Sequence, residues 1–324
     1  MSTSQLTVEP ISVADQQVHY GSAFPLVLAC GTSEATLEDA VAWITSRRDA
    51  LAGQLAEHGA ILWRGFPLAS DVDFDRLIAA FDYPNFPYEQ SLSNAVRVNR
   101  TERVFTANEA PPEVTIYLHH EMAQTPIYPS RLFFFCEKPA ESGGATPLCR
   151  SDVLLEMLRH QRPEFVDACE QKGLRYTNVM PGENDPESGM GRSWQSTFRA
   201  ASRDEPERQL RPLGYSWEWL PDDCLKATTP TLMAVRVLPT GRKSFFNQLI
   251  AAFCGWKDAR NDPAKSITLG DGTPLDPADV AAASRLAEAL TFDIPWQAGD
   301  VALIDNYTVM HGRRSFSGTR KVLA

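Results

Sequence analysis

The stretch Leu118-His119-His120-Glu121-Met122 sets two imidazoles and a carboxylate side by side. In an extended strand alternate side chains share a face, so His119 and Glu121 point one way and His120 the other. Near the C-terminus, Tyr307-Thr308-Val309-Met310-His311-Gly312 offers a further histidine in an apolar setting. Two histidines and one carboxylate on one face of a metal leave the opposite positions open. That donor set is the one non-haem Fe(II) oxygenases use to admit cosubstrate and O2. His-x-Glu alone is a common pattern, and a histidine in an apolar strand is more often a hydrogen-bonded core residue. A register shifted by one would turn His120 inward and Glu121 outward. His19, His58 and His160 have no carboxylate at useful spacing.

The surroundings of both halves add specificity. After Glu121 come Tyr128-Pro129, the strand-like Arg131-Leu132-Phe133-Phe134-Phe135-Cys136 and Glu141-Ser142-Gly143-Gly144-Ala145-Thr146-Pro147-Leu148; after His311 comes Gly312-Arg313-Arg314-Ser315-Phe316-Ser317-Gly318-Thr319-Arg320. Matching segments elsewhere are Gly59 to Phe66, Ser193-Trp194-Gln195, Phe245-Phe246-Asn247-Gln248 and Ala298 to Asn306. With these motifs in order over most of its length, the chain resembles the taurine dioxygenase and clavaminate synthase-like family of Fe(II)/2-oxoglutarate-dependent oxygenases. It resembles most the His-x-Glu branch, several members of which hydroxylate amino acids, some tethered to carrier proteins.

The resemblance implies Fe(II) held by His119, Glu121 and His311, with 2-oxoglutarate and O2 as cosubstrates. The far carboxylate of 2-oxoglutarate suits a planar bidentate cation, and Arg320 occupies the place of the family's arginine. Arg314 and Arg313 compete with it. Thr146 matches the family threonine that hydrogen-bonds a cosubstrate carboxylate. Asp305 and Asn306 are candidates for orienting a ligand histidine, or are the polar end of a strand. Halogenating relatives replace the carboxylate ligand by a small residue, so Glu121 favours hydroxylation coupled to conversion of 2-oxoglutarate to succinate and CO2. The same oxidant also serves desaturation and cyclisation.

The expected substrate is an amino acid or amino-acid-derived small molecule of secondary metabolism, free or carried on a protein. Candidate pocket residues are Asn108 and Glu109, then Arg192, Trp194 and Gln195, then Asn247 and Gln248, each of which could equally be a solvated loop residue. Arg192 could take a substrate carboxylate and Glu109 its ammonium. Two other classes share parts of the pattern. A zinc hydrolase could use the same three donors but leaves Arg320 and Thr146 without a role, and a non-catalytic jelly-roll protein has no need of the whole set.

Composition agrees with a catalytic domain. A net charge of −10 over 324 residues provides no basic face for nucleic acid. No apolar run spans a bilayer, and the N-terminus lacks the charged and apolar regions of a signal peptide, so the expected location is cytoplasmic. Whether copies associate is open. The 6 cysteines are scattered without a Cys-x-x-Cys pair and read as reduced thiols.

The elements that must position these residues are legible as follows. Thr36 resembles a helix cap, with Leu37, Val41, Ile44, Leu51 and Leu55 at helical spacing until Gly59. A strand over Ala60 to Arg64, a helix over Val72 to Phe81, and strands over Thr115 to His119 and Arg131 to Cys136 follow. Helices start at Ser151, with a break at Pro163, and cover Pro277 to Leu290. Pro181 to Pro212 reads as a long irregular excursion, Leu232 to Gln248 as a hairpin, and Asp300 to Ile304 and Thr319 onward as strands. Glu121 and His311 are far apart in sequence, so strands from distant parts of the chain must meet around the metal. This predicts an α+β fold with a mainly β core, a double-stranded β-helix or jelly roll, in one domain with a helical and loop insertion over roughly 152–290.

Overall fold

A computed structural model of the chain describes residues 6–86, 92, 97–107, 110–185, 188, 190–256 and 258–324. Two largely antiparallel sheets carry the site. The larger has six strands in the order Val8–Ile11, Leu26–Cys30, Ala60–Arg64, Val301–Asp305, Arg131–Lys138, Lys321–Leu323. The smaller has four, in the order Thr291–Ile294, Thr146–Arg150, Val309–Arg313, Ile116–His119. In both sheets strands from the first half of the chain pair with strands from its last quarter, while Val8–Ile11, Leu26–Cys30 and Ala60–Arg64 pair among themselves at one edge of the larger.

Alternation along the strands explains why the larger sheet reads as near-continuous apolar runs, since both faces are covered. Ile61, Trp63, Val301, Leu303 and Phe135 face a helical layer that contributes Trp43, Ile44, Leu51, Leu55, Phe74 and Leu77. The intervening Leu62, Ala302, Ile304 and Phe134 face the other way, into one core with Leu148, Phe292, Ile294 and Val309 of the smaller sheet. The two sheets therefore share an interior. On its outer face the smaller sheet turns Leu118, Cys149 and Met310 into a third core, with Leu154, Leu158, Leu249 and Val280 of the helices Ser151–Gln161, Leu249–Gly255 and Pro277–Ala289.

Residues 151–290, between the paired strands Thr146–Arg150 and Thr291–Ile294, hold these helices and a further sheet in the order Ser216–Leu220, Cys224–Thr228, Leu174–Met180, Ile267–Leu269. None of the six cysteines is in a disulfide, and Cys136, Cys149 and Cys169 are buried in the cores.

Several local expectations change. The run from Leu37 breaks at Ser46 into two helices, Leu37–Thr45 and Arg48–His58, the first closed by a reciprocal Thr36–Asp39 capping box. The excursion from Pro181 holds two short helices, Trp194–Phe198 and Asp204–Leu210. The hairpin shrinks to Arg236–Val237 against Lys243–Ser244, because Gln248 starts a helix. The strand carrying the first histidine ends at His119, which leaves Glu121 in the following turn.

Candidate metal and cosubstrate site

His119 and His311 are Cα partners across the antiparallel pair Ile116–His119 and Val309–Arg313. Their neighbours Leu118 and Met310 pack into the outer core, so by alternation both imidazoles turn inward. The rings lie 4.3 Å apart, and that of His311 is 5.3 Å from Phe134 of the opposite sheet. A register shift between His311 and Arg313 lets the strands stay paired. The position between them has to be glycine, because a Cβ at Gly312 would collide with the Ile116 carbonyl.

Strand alternation does not deliver Glu121; a clamp does. Asn306 Oδ1 accepts from the Glu121 amide at 2.7 Å, and Asn306 Nδ2 donates to the Glu121 carbonyl at 3.0 Å and to that of Pro129 at 2.7 Å. The next residue, Met122, has φ of 58°, which turns the chain away from the strand direction. The outcome is a carboxylate whose Oε2 lies 3.4 Å from His311 Nε2 and 3.7 Å from His119 Nε2. One donor atom from each of the three residues falls within 4.8 Å of the others.

The electrostatics suit a cation. Burial pushes the His311 imidazole down to about 4, so it is neutral, the form that can ligate. His119 Nδ1 lies 2.7 Å from the Tyr117 carbonyl, which can only accept; Nδ1 therefore carries the proton and Nε2 presents a lone pair to Glu121. Burial alone would raise the Glu121 carboxyl, but interactions led by the Arg97 guanidinium outweigh it and hold the group well below the usual carboxylate range. Arg97 Nη2 donates to Glu121 Oε1 at 3.0 Å, with both side chains about nine-tenths buried. Sequence reasoning missed Arg97, which sits in a segment without strand or helix periodicity.

His120 is fully buried and faces away. Its Nδ1 donates to the Asn306 carbonyl at 2.5 Å, its ring packs 4.8 Å from Phe246, and burial drives it down to about 3.

At the start of the strand Thr146–Arg150 lies a second polar centre. Thr146, only 2% exposed, accepts at Oγ1 from Trp296 Nε1 at 3.0 Å and from Arg320 Nη2 at 3.3 Å. Arg320 Nε is anchored on the Gly144 carbonyl at 2.8 Å, and among the described residues no carboxylate pairs with it. Burial, then Arg313, push its guanidinium down to about 10, which leaves it cationic at neutral pH. Gly144, at φ of 70°, makes the room, since a Cβ there would come within 3.0 Å of Arg320 Cδ. Leu148 is the Cα partner of His311, so Thr146 is its diagonal neighbour on the same inward face, about 7 Å away. A short dicarboxylate spans such a distance.

Other expected site residues are placed differently. Arg314 is occupied by Glu288 at 2.7 Å and Asp293 at 3.0 Å, and Arg313 donates to the carbonyls of Ala110, Pro111 and Val114. Asp305 accepts from the Tyr307 amide and the Thr308 hydroxyl, so it caps a turn and touches no ligand histidine; Asn306 holds Glu121 and His120 instead. Trp194 is a core residue, 5.1 Å from Trp219 and bonded to the Asp223 carbonyl, and Gln195 reaches the Asp223 carboxylate at 3.5 Å. Arg192, just before the Ser193 cap, donates to Ser196 in the first turn of the helix that follows. Asn247 accepts from the Leu249 amide as a helix-start cap, and Gln248 Nε2 donates to the His120 carbonyl at 3.1 Å, bracing the ligand segment from behind. Asn108 and Glu109 lie outside the described residues.

A family model described as taurine catabolism dioxygenase TauD, TfdA family, matches residues 22–324. The chain belongs to that family. It is 41% identical over 317 residues to a clavaminate synthase-like protein of Arabidopsis thaliana, with 95% of each chain covered. It is 30% identical over 282 residues to the dapdiamide synthesis protein DdaC of Enterobacter agglomerans, with 83% of this chain and 82% of that one covered. Among solved structures, PvcB of Pseudomonas aeruginosa matches with a TM-score of 0.54 at 16% identity, covering 100% of this chain and 91% of that one. AAD-2 in complex with Mn(II) and N-oxalylglycine matches with a TM-score of 0.53 at 12% identity, covering 98% and 95%. The mixed α and β fold is thus that of TauD-like oxygenases. The protein is an Fe(II)/2-oxoglutarate-dependent dioxygenase, and this sets aside the zinc hydrolase and non-catalytic readings.

Proposed function

We propose that His119 Nε2, His311 Nε2 and Glu121 hold the Fe(II), that Arg320 and Thr146 bind the far carboxylate of 2-oxoglutarate, and that the enzyme hydroxylates an unactivated C–H bond. The observation that carries this reading is the convergence of two imidazole nitrogens and one carboxylate oxygen within 4.8 Å on the inward face, with a carboxylate-free arginine beside the diagonal neighbour Thr146. Bound there, Fe(II) supplies the activation of O2 that couples oxidation of 2-oxoglutarate to oxidation of the substrate. The chain's own share is positional. Asn306 fixes the Glu121 backbone, the Tyr117 carbonyl sets the His119 tautomer, and Phe134 on the facing sheet walls the histidines from water.

The two facing sheets are read as the double-stranded β-helix of this family, in a single oxygenase domain with 152–290 as its insertion. Among the described residues no helix is long and apolar enough to cross a membrane; a cytoplasmic location belongs to the same proposal and rests on the character of the N-terminal sequence. DdaC is a dapdiamide synthesis protein, and PvcB is an Fe, alpha-ketoglutarate dependent oxygenase from an isonitrile synthetic pathway. A synthesis protein among the relatives fits a small-molecule substrate of secondary metabolism, and the His-x-Glu resemblance is what points to an amino acid or amino-acid-derived one, free or carried on a protein.

The experiment is a screen of free amino acids and their carrier-protein thioesters for succinate release above the uncoupled rate, with product mass measured. Gain of one oxygen supports hydroxylation, and loss of two hydrogens would replace it by desaturation or ring closure. Stimulation by none of them, with another acid stimulating, would overturn the substrate class.

A further inference from the structure

The two oxygens of Glu121 have different partners. Oε2 faces both imidazoles, at 3.4 and 3.7 Å, whereas Oε1 takes the Arg97 guanidinium at 3.0 Å. Arg97 is firmly held by the larger sheet. Val98 donates to Thr106 Oγ1, Asn99 bridges Phe105, and Phe105 exchanges backbone bonds with Ala324 at the end of the Lys321–Leu323 strand. The Arg97 guanidinium also lies 5.1 Å over the Phe105 ring. The Glu121 backbone is held from the other side by Asn306. A carboxylate fixed at its backbone, with one oxygen already sharing its charge with a guanidinium, offers the other oxygen first and the engaged one only as a weaker ligand.

Resting on the reading of Glu121 as a metal ligand, we propose that Arg97 is a positioning residue that keeps Glu121 monodentate, so that the coordination positions needed by 2-oxoglutarate stay open. A carboxylate with both oxygens free can chelate a divalent ion through both and consume one of those positions. Arg97 also competes with the ion for the negative charge of Glu121, so metal affinity is lowered in exchange for access. Removing Arg97 should therefore strengthen metal binding and weaken cosubstrate binding, which general loosening of the site would not do.

The test is water-proton relaxation of the full chain loaded with Mn(II), which reports how many exchangeable waters the ion keeps, together with calorimetric titration of Mn(II) and then 2-oxoglutarate. Three protein ligands leave three waters on an octahedral ion, so in Arg97→Met the inner-sphere relaxation should fall by about one-third. Mn(II) should bind severalfold more tightly and 2-oxoglutarate about tenfold more weakly. Arg97→Lys, which keeps a cationic donor, should return the relaxation to the wild-type value; if the methionine variant does not fold, Arg97→Gln, which removes the charge and keeps a polar side chain, takes its place with the same expected fall and the same overturning result. Wild-type relaxation in Arg97→Met, or weaker Mn(II) binding in it, would overturn the proposal. Glu121→Ala separates the two layers: unchanged Mn(II) affinity and relaxation there would remove Glu121 as a ligand, whereas loss of Mn(II) with Arg97→Met unaltered would remove only the role of Arg97.

Discussion

Asn306 grips Glu121 by both polar groups of its backbone, with Oδ1 at 2.7 Å from the amide nitrogen and Nδ2 at 3.0 Å from the carbonyl oxygen. The same residue accepts His120 Nδ1 at its own carbonyl. One fully buried side chain on the turn before the His311 strand thus fixes the position of the carboxylate that must meet that histidine.

Asn306→Ala should break the clamp without removing a donor atom. Loss of such an outer partner typically lowers metal affinity about 10- to 100-fold. Leaving buried backbone groups unpaired should also cost about 2–4 kcal/mol of stability. Metal titration and urea unfolding read the two effects separately. Wild-type metal affinity in a folded Asn306→Ala would remove the clamp from the account.

Arg320 and Arg314 differ in partners, so they should differ in effect. Arg320→Ala should raise the KM for 2-oxoglutarate about 100-fold, as truncating one side of a desolvated charge pair does, while metal affinity stays within a few-fold. Arg320→Lys should recover only part, because an ammonium cannot meet a carboxylate with a planar fork. Arg314→Ala, whose side chain is already paired with Glu288 and Asp293, should leave that KM unchanged. The reverse pattern would exchange the two assignments.

His120 is a structural residue between two proposed ligands. His120→Ala should cost about 2–4 kcal/mol through a lost buried hydrogen bond and a cavity, yet the folded variant should still bind one equivalent of metal. Loss of binding in a variant with native secondary structure and near-native stability would mean that the register is off by one.

Trp194 should act through packing. Trp194→Ala is expected to lower stability by about 3–5 kcal/mol with little change in the KM for 2-oxoglutarate, since the indole is bonded to the Asp223 carbonyl and packed on Trp219. A stable Trp194→Ala with a changed substrate KM would return this residue to the pocket.

The donor set was legible because its chemistry is rare and its halves lie in ordered motifs, and the strands were legible because residues buried on both faces leave apolar runs such as Ala60 to Arg64 and Arg131 to Cys136. The way Glu121 reaches the site was not. Alternation predicts the right face for the wrong reason, because the strand stops at His119 and a long-range clamp from Asn306 takes over. Arg97 was silent since a lone arginine in an irregular segment carries no local signal; only the pairing of Phe105 with Ala324 places it. Trp194, Asn247 and Gln248 misled in the opposite sense. They are residue types that line pockets, but here their polar atoms are spent on the backbone of neighbouring segments.

His119, Glu121 and His311 are proposed to hold an iron that 2-oxoglutarate reaches from Arg320. Anaerobic addition of Fe(II) and 2-oxoglutarate to the metal-free protein tests this assignment directly, by the weak visible charge-transfer band that the chelated cosubstrate gives. The wild-type protein should give the band, His311→Ala should lose it, and Arg320→Ala should show it only at much higher 2-oxoglutarate. No band in the wild type, or an undiminished band in His311→Ala, would contradict the assignment.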